Sequence, residues 1–93
     1  MTDDPILDGL RQQISAFDRA IVEAVNHRLE LVAKIKAYKE SRSLDFLDPK
    51  REQQMLDDLA RSNRGPLSEE GLRELLQAIL DLSKREVGRS DPA

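Results

Sequence analysis

Arg28 stands where a seven-residue repeat of apolar positions, Leu7, Ile14, Ile21 and Ile35, asks for another aliphatic side chain. A guanidinium inside an apolar helical stripe must be solvated or paired, so something anionic is expected beside it. Lys39 lies on the same stripe about 16 Å further along the axis, a span that two long side chains leaning together can close around a small molecule. Arg11 shares the stripe but lies about 25 Å from Arg28 in the other direction, too far to join them within one chain. From an antiparallel copy it can reach. Arg28, Lys39 and the partner's Arg11 then surround one buried anionic ligand, with Arg51 and Glu52 closing the side. Such a set binds ions and stabilises developing charge. With no cysteine and a single histidine, disulfides, thiolate chemistry and thiolate or multi-histidine metal sites are excluded.

Plainer roles exist for each of these groups. Arg28 can pair with Asp18 of the partner subunit, Lys39 suits the negative end of a helix dipole, and Glu52 suits the positive end. Asp48 has a sufficient structural role as an N-cap. Ser83 can be a small polar filler bonded to the preceding turn. His27 is assigned no role.

The stripe needs a helix long enough to carry it. Between Ile6 and Ser41 there is no proline, Gly9 is the only glycine, and apolar residues recur every three or four positions, which predicts one helix over about 5–41. Residues 6 to 41 make a rod of roughly 54 Å at about 1.5 Å each, against a radius of gyration near 12 Å for a compact chain of this length. The remaining residues cannot cover such a rod, so a second copy of the helix is expected against it, in a homodimer.

Asp3 or Asp4 can cap this helix, with Pro5 in its first turn. The sequence Asp48-Pro49-Lys50-Arg51-Glu52 signals a second start, giving helix 2 over about 49–61 with Met55, Leu56 and Leu59 on its apolar side. A break at residues 62–66 and a restart at Ser68, with Leu67 and Leu72 placed for a hydrophobic staple, predict helix 3 over about 69–87. That helix turns Leu72, Leu75, Leu76, Ile79, Leu80 and Leu82 inward, then Ser83 and Val87, and a frayed tail is expected from Gly88.

Residues 1–93 thus read as a single all-α domain of one long and two shorter helices. A charged fraction of 35% beside 39% apolar residues fits a folded helical protein, and two Phe and one Tyr give strands little support. The net charge of −3 disfavours a nucleic-acid binder while leaving room for a local cationic pocket. The opening MTDDPILDGL has no basic segment before an apolar run, and no stretch approaches 18 apolar residues, so a cytoplasmic protein with no membrane association is expected.

The pattern LRxxIxxxD at 10–18, then Arg28, Lys39 and DxxRE at Asp48, Arg51 and Glu52, resembles the all-helical AroQ class of chorismate mutases. The resemblance spans essentially the whole chain. It implies an intertwined homodimer with two active sites and conversion of chorismate to prephenate without a cofactor or metal. By the same resemblance, Arg28 and Arg11 of the partner subunit bind the two substrate carboxylates, Arg51 supports them, and Ser83 adds a hydroxyl. Lys39 donates to the ether oxygen, Asp48 and Glu52 hold the ring hydroxyl, and Ile35 and Leu80 pack on the ring. The class usually has Gln or Glu where this chain has Val87, which implies that Lys39 acts alone on the ether oxygen and that turnover is low. The missing donor is worth on the order of 3 kcal/mol in the barrier. Some short members of the class are activated by the first enzyme of the shikimate pathway, so such a partner is an expectation here. Two other readings stay open: an isochorismate pyruvate lyase or aminodeoxychorismate mutase on the same scaffold, and a non-catalytic helical dimerisation or regulatory module.

Overall fold

The computed structural model describes residues 4–89, which form three helices: α1 (Pro5–Ser41), α2 (Pro49–Ser62) and α3 (Glu69–Arg89). Among the described residues there is no strand, and no helix is long and apolar enough to cross a membrane.

Local chemistry sets the starts. The Asp4 carboxylate accepts from the backbone N–H groups of Ile6 and Leu7, with Pro5 in the first turn where its missing donor is harmless. Asp48 repeats the arrangement for α2, accepting from the Arg51 N–H ahead of Pro49. The Ser68 hydroxyl accepts from Gly71 N–H at the head of α3. Asp3 lies outside the described residues. Between α2 and α3 the chain turns at Asn63, whose side chain bonds Gly65 N–H and Leu67 C=O. Gly65 sits at φ +75°, a conformation that favours glycine.

Helix α3 packs against both α1 and α2. The core is small and centred on α3: among the described residues, Leu56, Leu72, Leu80, Ser83 and Val87 are buried. Nothing in α1 is buried. Ile6 is 76% exposed and Phe17 70%, and Leu10, Ile14, Ile21 and Val22 are also in solvent. The molecule is correspondingly elongated, 59 Å along its longest axis with a radius of gyration of 17.4 Å. A compact chain of this length would be near 12 Å.

Three expectations are corrected. Helix α3 continues through Gly88 to Arg89, because Val87 is packed at 3% exposure and anchors the last turn against α1; the proposed frayed tail from 90 onward lies outside the described residues. Leu59 and Leu75 are exposed, since in a single chain α2 and α3 have too few neighbours to cover every apolar row. The staple is half realised: Leu72 is buried, while Leu67 is 43% exposed and lies over Gly71.

Because the core is so limited, single truncations within it weigh heavily. Leu56→Ala is expected to lower unfolding free energy by about 2–3 kcal/mol, read from urea denaturation followed by circular dichroism.

Candidate active site

One cavity of about 360 Å³ opens between α1, the α1–α2 connection, the first turn of α2 and the end of α3. Its walls carry Arg28, Ile35 and Lys39 from α1, Asp48, Arg51 and Glu52 from the start of α2, and Leu80 and Ser83 from α3. Eight of the residues singled out in the sequence therefore meet in one place.

Arg28 reaches across to α3, where one guanidinium nitrogen donates to the Ser83 hydroxyl at 2.7 Å and the other lies 3.8 Å from the Met55 sulfur. Ser83 in turn donates to the Ile79 carbonyl at 2.7 Å, a bond to the preceding turn that leaves its oxygen free to accept from Arg28. The filler role and the functional one thus use the same hydroxyl. No carboxylate among the described residues pairs with Arg28, so its charge stays open to a ligand. Neutral partners orient the cation without cancelling its charge.

Lys39 is held by the connection. Its ammonium donates to the Phe46 carbonyl at 3.2 Å, while its own carbonyl accepts from Leu44 N–H at 2.8 Å. Residues 42–48 therefore wrap the end of α1 and fold Phe46 and Leu47 onto the cavity. The cap at Asp48 fixes the first turn of α2, and with it Arg51 and Glu52. Glu52 accepts from the Lys84 ammonium at 3.0 Å.

Two expected site residues lie elsewhere. Arg11 is exposed on the uncovered part of α1, outside the cavity. Val87 lines a separate shallow recess with Leu29, Glu30, Ala33 and Glu86. Sequence reasoning missed Val32, Phe46, Leu47 and Lys84 on the cavity wall. Val32 was legible as the residue one turn after Arg28, whereas the others depend on the path of the connection and on side-chain reach. Among the described residues no cluster of His, Cys, Asp and Glu is arranged to hold a metal ion.

An all-helical chain with cations gathered at one cavity and an uncovered long helix is similar to known proteins over nearly its full length. Residues 10–87 match the family described as Chorismate mutase type II. Two structures of chorismate mutase from Thermus thermophilus superpose on it. Form I is 32% identical with a TM-score of 0.81, covering 83% of this chain and 96% of its own. Form II is 31% identical with a TM-score of 0.86, covering 92% and 98%. No curated protein sequence matches. The chain belongs to the chorismate mutase type II family.

The Arg28–Ser83 bond is the part of this geometry most easily tested. Ser83→Ala is expected to leave the helical signal intact and to weaken binding of a ring dicarboxylate by about tenfold in titration calorimetry, since a hydrogen bond to a charged group is lost.

Proposed function

We propose that this protein is a chorismate mutase, an isomerase that rearranges chorismate to prephenate, with each active site completed by a second copy of the chain. The observation that carries the reading is a cavity in which Arg28 and Lys39 present positive charge with no carboxylate partner among the described residues. That arrangement suits a doubly negative guest.

The reaction is a unimolecular [3,3] rearrangement: a C–C bond forms as the ether C–O bond breaks, and no nucleophile, base or cofactor takes part. Two tasks fall to the protein. It holds the flexible dianion in its compact conformer, an effect of positioning, and it stabilises the negative charge that develops on the ether oxygen. Arg28, aimed by Ser83, binds one carboxylate, with Arg51 alongside. Arg11 of the partner subunit binds the other, which gives the bare amino-terminal half of α1 a role. Lys39 donates to the ether oxygen. The Asp48 backbone and the Glu52 carboxylate hold the ring hydroxyl, and Ile35 and Leu80 pack on the ring. Val87 offers the ether oxygen no polar atom.

With Lys39 as the one donor to that oxygen, its loss falls on the chemical step. Chorismate depletion followed by absorbance is expected for the wild type, and Lys39→Ala is expected to lower kcat by at least about a hundredfold with the fold unchanged. A wild type without turnover overturns the assignment.

A further inference from the structure

Lys84 and Glu52 form an ion pair on the cavity wall. Both residues line the cavity, and the ammonium nitrogen sits 3.0 Å from the carboxylate oxygen. The side chains are 38% and 22% exposed, so the pair is open enough to contribute little to folding. Its position is informative. Ser83 and Lys84 are consecutive residues of α3, and between them they fix a cation of α1 and a carboxylate of α2.

We propose that Lys84 is a positioning residue: it holds Glu52 against the cavity wall and cancels its charge, so that the cavity keeps a net positive charge toward its ligand. From one chain, four cations (Arg28, Lys39, Arg51 and Lys84) face two carboxylates (Asp48 and Glu52), an excess of two, to which Arg11 of the partner subunit adds a third. That surplus of positive charge favours a dianion. Without Lys84, Glu52 keeps its hydrogen-bonding oxygens but repels both ligand carboxylates. A single charge roughly 8 Å away in a partly solvated cavity changes affinity by about tenfold.

The inference rests on the chorismate mutase reading, and steady-state turnover of chorismate separates the two. In an active wild type, Lys84→Met is expected to raise KM about tenfold while kcat stays within about twofold. Lys84→Arg is expected to restore KM. In the Lys84→Met background, Glu52→Gln is expected to return KM toward that of Glu52→Gln alone, because the uncompensated charge is gone. An unchanged KM in Lys84→Met, no rescue by arginine, or no relief from Glu52→Gln overturns the proposal. So does loss of the helical signal in Lys84→Met, which would assign the pair to folding. A wild type that leaves chorismate untouched overturns the functional reading and this inference with it.

Discussion

A helix of 37 residues in a chain of 93 cannot be covered by what remains. The other two helices cluster near the carboxy-terminal half of α1, and the stripe from Ile6 to Val22 stays in water. Apolar rows of that length are stable only when something apolar lies along them. The candidate site inherits the same incompleteness. Its cavity gathers cations from one end of α1 while Arg11, on the same stripe, sits at the other. A second copy running antiparallel, as proposed, would meet both needs, covering the bare rows and bringing a further guanidinium to each cavity.

Within one chain the site is built by tying charges to neutral groups. Arg28 rests on a hydroxyl and a thioether sulfur, Lys39 on a backbone carbonyl. Each bond fixes direction and leaves the full charge available. Pairing either cation with a carboxylate would have been the ordinary way to offset desolvation, and would have left less field for a ligand. Glu52, a carboxylate drawn into the wall, is matched by its own ammonium. Preorganised positive charge in a pocket partly shielded from water is what a rearrangement with a developing alkoxide needs, since the field is in place before the bond breaks.

Much of this was legible in the sequence because it depends on local rules. The Asp-Pro pairs at Asp4-Pro5 and Asp48-Pro49 marked two helix starts, and the proline-free stretch between Ile6 and Ser41 marked the rod. Arg28 betrayed itself by interrupting an apolar repeat, and Lys39 by its spacing from Arg28. Gly88 misled, since a glycine usually stops a helix; the burial of Val87 one residue earlier outweighs that preference. Phe46, Leu47 and Lys84 were hidden for a different reason. Their places on the cavity follow from how residues 42–48 fold back and from a contact between Lys84 and Glu52 spanning 32 positions, and neither leaves a periodic trace. The anion expected beside Arg28 was a bound ligand, and the chain itself leaves room for one by giving the guanidinium only Ser83 and Met55 as partners.

Sharing of each cavity between two chains is the claim on which the rest depends, and subunit mixing tests it most directly. Arg11→Ala and Lys39→Ala chains, each inactive alone, are unfolded together and allowed to reassociate. Half the dimers formed at random are mixed, and each mixed dimer holds one site with both residues intact, so about one quarter of wild-type turnover is predicted. Turnover that stays at the level of the separate variants, or an Arg11→Ala chain as active as the wild type, would contradict the account.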